Sequence, residues 1–72
     1  MKYAVVKVVN GNFAINSEHG ENLDGAEVAF ANLWAALVNA SEEVDATIKV
    51  VDENFDTVNG DVKHIQHPAK NA

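Results

Sequence analysis

The sequence predicts an α+β fold: a two-layer ββαββ sandwich in which a four-stranded, mainly antiparallel sheet carries one helix on one face. Three observations support this prediction. An Asn10-Gly11 pair joins two β-type segments, a capped segment with helical spacing follows, and two further β-type segments flank an Asp- and Asn-rich turn. A helix between two hairpins most simply buries its apolar side against the sheet that the hairpins form.

The first hairpin is predicted over residues 3–10 and 12–17. Asn-Gly suits a two-residue type I′ turn, because both central residues of that turn need a positive φ. The turn sets the register, with the opposing pairs Val9–Asn12, Val8–Phe13 and Val6–Ile15.

This register divides the hairpin into two faces. We assign the more apolar face to the core under the helix; it comprises Ala4, Val6, Val8, Phe13 and Ile15. The opposite face would be uncovered, and it is unusually apolar for a solvated sheet. With the second hairpin it supplies the candidate interface, formed by Tyr3, Val5, Val9, Ala14, Val51 and Phe55.

The helix is predicted to follow a polar connection over residues 19–22. Asp24 is the expected N-cap and Glu27, three residues later, completes a capping box. Leu23 and Val28 fall at the positions of a hydrophobic staple. An apolar stripe with three- and four-residue spacing would face the sheet, and it contains Phe30, Leu33, Trp34, Leu37 and Val38.

The second hairpin is predicted from a strand over residues 44–52, a turn at 52–54 with Asn54 left-handed, and a fourth strand from Phe55. A three-residue loop would pair Val51 with Phe55 and Ile48 with Val58. Residues 61–67 could be a bulged continuation of this strand or a single helical turn. Either the first and third or the second and fourth strands could form the central pair.

Composition limits the function. We expect one domain over residues 1–68 and a frayed tail over 69–72. Eleven acidic residues face five lysines, with no arginine, which argues against direct nucleic-acid binding and against an anionic membrane surface. No apolar run is long enough to span a bilayer, and the first ten residues do not resemble a signal peptide. A cytoplasmic protein is therefore expected, and without cysteine it has no disulfides to stabilise it.

The histidines are the only weak candidates for a metal site. On a helical turn His64 and His67 would share a side and could bind zinc with His19 or Asp61. On a strand, a separation of three residues places His64 and His67 on opposite faces. A polar C-terminal segment is the favoured interpretation, because no ligand-rich motif accompanies the pair. We expect no metal and no cofactor.

Other chemical motifs are incomplete. Asp52, Asn54 and Asp56 match the first ligands of a calcium loop, but Thr57 stands where that loop needs glycine and Lys63 where it needs glutamate. A turn rich in Asx residues is favoured instead. No serine has a histidine at a suggestive spacing, and no phosphate-binding loop is present, so we expect no catalytic residues.

Three segments carry a resemblance: residues 1–15 (MKYAVVKVVNGNFAI), 51–56 (VDENFD) and 64–68 (HIQHP). They resemble small uncharacterised proteins of bacterial integrative and conjugative mobile elements. The resemblance implies a bacterial, cytoplasmic, accessory-gene setting. It implies no activity, and no functional residue is carried over from it.

Three functional hypotheses follow. The first is a non-enzymatic interaction module that forms a homodimer, or binds another protein, through the uncovered sheet face or an edge strand. The second is an acidic decoy of anti-restriction or anti-repressor type that occupies a DNA-binding protein. Its acidic residues would be Glu18, Glu21, Asp24, Glu27, Glu42, Glu43 and Asp45. The third and least favoured is a metal-dependent enzyme that uses His19, His64 and His67.

Overall fold

The computed structural model describes residues 1–68 as one open sheet and one helix. The elements are β1 (Tyr3–Val9), β2 (Asn12–Gly20), α1 (Leu23–Val38), β3 (Val44–Val51) and β4 (Thr57–His67). All neighbouring strands are antiparallel and their order is β2-β1-β3-β4. The predicted ββαββ α+β fold is confirmed, with β1 and β3 as the central pair. The predicted frayed tail, 69–72, lies outside the described residues.

The first hairpin has the predicted register. Its pairs include Val9–Asn12, Val8–Phe13 and Val6–Ile15. Asn10 and Gly11 take φ values of 51° and 85°, as a type I′ turn requires. β2 extends beyond the predicted strand to Gly20, because a bulge leaves Asn16 unpaired and the pairing resumes with Ser17 opposite Val5.

The helix covers the opposite face from the one we predicted. Val5 is fully buried beneath α1, and Tyr3 and Val9 pack against the same core. β3 decides this outcome, since its alternate residues Val44, Ala46, Ile48 and Val50 form the densest buried row. Antiparallel pairing places Val5 opposite Val50, and residues directly opposite share a face.

The candidate interface must therefore be corrected. Tyr3, Val5 and Val9 belong to the covered face, and Ala14 is exposed on the helix side of β2. Val51 and Phe55 lie on the uncovered face, Val51 because it pairs with Ala4 on the side away from Val50. Val8, Phe13 and Ile15, which we had assigned to the core, are exposed on the uncovered face, and Ala4 and Val6 lie on the same face.

The helix begins two residues earlier than a cap at Asp24 would place it. Asn22 is the N-cap, and its Oδ1 accepts a hydrogen bond from the Gly25 N–H at 2.9 Å. This start makes Leu23 a helical residue that packs on the core, and Val28 is exposed, so the predicted capping box and staple are wrong. The covered side of α1 is formed by Leu23, Ala26, Ala29, Phe30, Leu33 and Leu37, whereas Trp34 and Val38 of the predicted stripe are exposed.

The second hairpin has a longer loop than predicted. Val51 pairs with Thr57 and Ile48 with Lys63, so the loop spans residues 52–56. Phe55 rather than Asn54 adopts the left-handed conformation. Residues 61–67 continue β4 as a strand, the first of the two predicted alternatives, after an irregularity at Asn59 and Gly60, which both have positive φ.

Candidate interaction surface

The face of the sheet away from α1 carries a group of large apolar side chains, and no described element covers it. Two members are buried among their neighbours, and the remaining five are between 39% and 61% exposed. We call this group the apolar patch; it comprises Val6, Val8, Phe13, Ile15, Val51, Phe55 and Val62. Large exposed apolar side chains grouped on one face in this way are typical of interaction sites.

Strand pairing arranges this face in rows that cross the sheet from β2 to β4. The first row is Phe13–Val8–Thr47–His64 and the second is Ile15–Val6–Lys49–Val62. The confirmed register of the first hairpin places Phe13 of β2 beside Val8 of β1, and Ile15 of β2 beside Val6 of β1. The residues that β3 contributes to these two rows, Thr47 and Lys49, are polar, so the patch is most apolar on the β2–β1 side.

Phe55 lies over one end of this face. Two hollows of about 440 and 240 Å³ adjoin there and share Val51 and Phe55 in their walls. The Phe55 side chain is 61% exposed, and its backbone has a φ of 62°. A left-handed conformation costs a bulky residue about 1–2 kcal/mol. The loop thus holds a strained aromatic residue beside an apolar hollow.

Asp52 holds the loop in this shape. Its Oδ1 accepts hydrogen bonds from the N–H of Asn54 at 2.8 Å and of Asp56 at 3.2 Å, and the Phe55 N–H donates to the Asp52 carbonyl at 3.0 Å. These local bonds are those of an Asx-rich turn. They account for the aspartates that resembled the start of a calcium loop.

Charged groups flank the apolar patch unevenly. Lys49, half-buried in the second row, has no ion pair within residues 1–68. Asp45, toward the other end of β3, lies 3.2 Å from His64 Nε2, and the Nδ1 of the same ring is 2.9 Å from the Thr47 hydroxyl. Both Asp45 and His64 side chains are more than half exposed. This end of the face is therefore polar but still open.

Most of the acidic residues gather at the other end of the molecule, where β1 begins and β3 ends. Eight of the eleven lie there, and all eleven are within the described residues. We call this region the acidic end; its members are Glu18, Glu21, Asp24, Glu27, Asp52, Glu53, Asp56 and Asp61. Lys2 is beside them, and its backbone N–H donates to Glu53 at 2.8 Å. Glu18 and Glu53 border the larger hollow.

Two of these acids face each other on the helix side of the sheet. A hydrogen bond between Glu27 and Asp61 raises the pKa of Glu27, and partial burial and the Asp61 charge act in the same direction. Asp61 Oδ2 is itself buried with no hydrogen-bond partner in the described part of the chain. A proton held between the two carboxyl groups would satisfy both.

The three histidines are separated in space. His19 Nε2 lies 2.7 Å from the Ser17 hydroxyl near the acidic end, His64 lies on the uncovered face, and His67 Nε2 is 2.9 Å from the Leu37 carbonyl oxygen at the end of α1. His64 and His67 are on opposite faces, as expected for a strand. Residues 1–68 contain no group of three or more potential ligands placed to hold a metal ion.

Sequence reasoning missed five members of the patch: Val6, Val8, Phe13, Ile15 and Val62. The strict alternation of β3 was the available signal, because it identifies the face of Ile48 as the covered one. The covered face of β1 follows from this alternation only once the pairing of β1 with β3 is known, and the sequence did not decide that pairing.

Comparisons of the chain with protein-family models, with curated proteins and with solved structures found no match. The bacterial mobile-element setting and the cytoplasmic location stay predictions. Within the part of the chain that the structure describes, no helix combines the length and the apolar character that crossing a membrane requires.

Proposed function

We propose that this chain is a non-enzymatic protein-interaction module that forms a homodimer by stacking the apolar patches of two copies. One observation carries the proposal: the sheet has large apolar side chains on both faces, and α1 covers only one of them. An antiparallel sheet with a solvated face normally has polar residues there. A second layer of matching shape would remove this exposed surface from water.

A second copy is a suitable occupant because the patch can pair with itself. Phe13 and Val8 in the first row match Ile15 and Val6 in the second in size and polarity, so two copies can exchange these rows across a two-fold axis. The charges agree with this choice. Lys49 and Asp45 lie on the same face of β3, so each copy offers both partners of an ion pair.

The size of the face suggests a reversible dimer. Four strands about 4.8 Å apart and roughly seven residues long at about 3.3 Å per residue span some 19 by 23 Å. This flat area is roughly 440 Å², about half of the 800 Å² of accessible surface that a standard stable interface buries on each partner, which places the proposed dimer in the weak, transient class. We therefore expect dimerisation to depend on concentration in the micromolar range.

The test is the molar mass in solution across a concentration series, measured by light scattering. We expect the wild-type chain to pass from monomer to dimer, and Phe13→Lys to remain monomeric, because it places a charge in the patch. Lysine reduces the net charge of −6, so a loss of dimer could not be attributed to greater repulsion.

Val28→Lys is the matched control. Val28 is as exposed as Phe13, at 61% and 59%, but lies on α1 away from the patch. This variant should dimerise as the wild-type chain does. A wild-type chain that is monomeric throughout, or a dimer indifferent to Phe13→Lys, would contradict the proposal.

The acidic end favours a second candidate function, an acidic decoy for a basic DNA-binding protein. Eight carboxylates at one end of a small domain present a concentrated negative charge. Expression of the chain in cells should then relieve restriction or repression, and Glu18→Lys combined with Glu21→Lys should reduce the effect. No relief in any such assay would argue against this function.

A further inference from the structure

We propose that the two copies stack about a two-fold axis that crosses the strands, so that Lys49 of each copy pairs with Asp45 of the other and the two acidic ends point in opposite directions. This inference rests on the proposed homodimer and defines its geometry. It assigns the ion pair that sets the orientation.

A face-to-face pair of identical sheets has two simple arrangements. If the two-fold axis runs along the strands, the acidic end of one copy lies over the acidic end of the other. Glu18 and Glu53, at the border of the patch, would then face the acidic end of the second copy, with Lys2 as the neighbouring base. If the axis crosses the strands, each acidic end lies over the end that holds the Asn10-Gly11 turn. Like charges placed opposite each other suppress the first arrangement.

The apolar side chains fix where the axis crosses. An axis between the first and second rows places Phe13 of one copy over Ile15 of the other and Val8 over Val6, and the reciprocal contacts repeat these pairs. Stacked sheets lie about 10 Å apart with their strands within about 30° of parallel or antiparallel. Aliphatic and aromatic side chains from both copies fill such a gap.

The same axis brings a carboxylate of the second copy close to Lys49. This half-buried lysine lies in the middle of the face and would lose water when the patch is covered, so it needs a carboxylate. Asp45 of its own chain is four residues away, about 13 Å along the strand, and cannot reach it. In the dimer Lys49 stands over Thr47 of the second copy, and Asp45 is the next side chain on that face.

Asp45 is available for this contact. Its side chain is 59% exposed, and only one carboxylate oxygen, Oδ1, approaches His64. Its backbone N–H donates to Asn10 Oδ1 at 3.1 Å, which fixes the start of β3 at the turn of the first hairpin independently of the carboxylate. The carboxylate of Asp45 can therefore accept a lysine from the second copy without any rearrangement of the strand.

Two charge-reversal variants test the orientation. Lys49→Glu and Asp45→Lys, each alone, should weaken dimerisation roughly tenfold, because each homodimer then brings like charges together. An equimolar mixture of the two variants should recover dimerisation close to that of the wild-type chain. In the mixed dimer both contacts again join opposite charges. Glu43→Lys, an exposed change of the same sign at the same end of the molecule, should have little effect alone and should not rescue Lys49→Glu.

A distance measurement provides an independent readout. The chain has no cysteine, so Glu53→Cys supplies a unique attachment point for a spin label. With the axis across the strands, the two labels should be roughly 30 Å apart, since each lies about five residues from the axis along β3. With the axis along the strands they would be at the same end, within about 15 Å.

The outcomes separate the orientation from the dimer itself. If Phe13→Lys disrupts the dimer, but mixing Lys49→Glu with Asp45→Lys does not restore dimerisation, the proposed orientation is wrong. The proposed function then still stands. A label separation near 15 Å overturns the orientation in the same way. A wild-type chain that never dimerises overturns both.

Discussion

The two faces of the sheet share the same four strands but differ in how their apolar side chains are satisfied. On the covered face Val5, Ile48 and Val50 are fully buried under α1, whereas Phe13 and Ile15 on the other face are at least half exposed. Both faces carry large apolar side chains, but the uncovered face also carries Thr47, Lys49 and His64. The single helix covers one face only, and under the proposed function a second copy of the chain would cover the other.

The largest expected effect contrasts two isoleucines. Ile48→Ala should lower the free energy of unfolding by about 3 kcal/mol, because it removes a fully buried side chain and leaves a cavity. Ile15→Ala, at 50% exposure, should cost the monomer less than about 1 kcal/mol but should weaken the dimer. Urea unfolding at concentrations below dimerisation measures the first quantity, and light scattering measures the second. Equal losses of monomer stability in Ile48→Ala and Ile15→Ala would contradict the expected difference in burial between the two faces.

A smaller effect of opposite sign is expected at Phe55. Phe55→Gly relieves the left-handed strain and should raise the free energy of unfolding of the monomer by about 0.5 kcal/mol, after allowing for the greater entropy of the unfolded glycine. It should also weaken dimerisation roughly tenfold, because an exposed aromatic residue is removed from the patch.

Asn59→Gly is the control for this prediction. Asn59 also has a positive φ, 53°, but asparagine tolerates the left-handed region well. Asn59 is not part of the apolar patch. The change should therefore leave dimerisation unaltered. If Phe55→Gly changed monomer stability and dimerisation in the same direction, the strain at Phe55 would have no connection with binding.

The smallest effect concerns the margin of the covered face, where Glu27 on α1 meets Asp61 on β4. A raised pKa in the folded state means that the folded protein holds this proton more tightly than the unfolded chain does. The stabilisation is complete below the ordinary pKa of 4.5 and is lost as the pH rises through the raised value. Thermal melts should show this loss in the wild-type chain and a flatter pH dependence in Glu27→Gln.

Glu27→Gln should also be more stable than the wild-type chain at neutral pH, because its amide can donate a hydrogen bond to Asp61 without titrating. Glu21→Gln makes the same change of charge at an exposed site of the acidic end and should alter the pH dependence less. Identical profiles for the two variants would assign the effect to overall charge rather than to the Glu27–Asp61 contact.

Local chemistry made the fold and the first register predictable. The Asn10-Gly11 turn dictates its own geometry, and the spacing of apolar residues located α1 to within a few residues. The identity of the covered face was not predictable from β1, because Val5, Val6, Val8 and Val9 make both of its sides apolar. Only the pairing of β1 with β3 decides between them, and that contact spans some forty residues of sequence.

The candidate surface was predicted only in part, for the same reason. Val51 and Phe55 were placed on the uncovered face, although their predicted pairing with each other is replaced by a five-residue loop. The hydrogen bonds of the Asp52 side chain extend that loop, and a count of turn residues does not reveal them. Phe55 consequently leaves the strand and lies over the patch.

The irregular outer strands limit how far association can go. β2 is interrupted by the bulge at Asn16, and β4 by the positive φ values at Asn59 and Gly60, so regular pairing along β4 runs only from Val62 to His67. These interruptions shorten the rows of backbone donors and acceptors that a further chain could use to extend the sheet sideways. We therefore expect the proposed dimer to remain a closed pair rather than to grow into fibrils, the outcome that long unbroken edges favour.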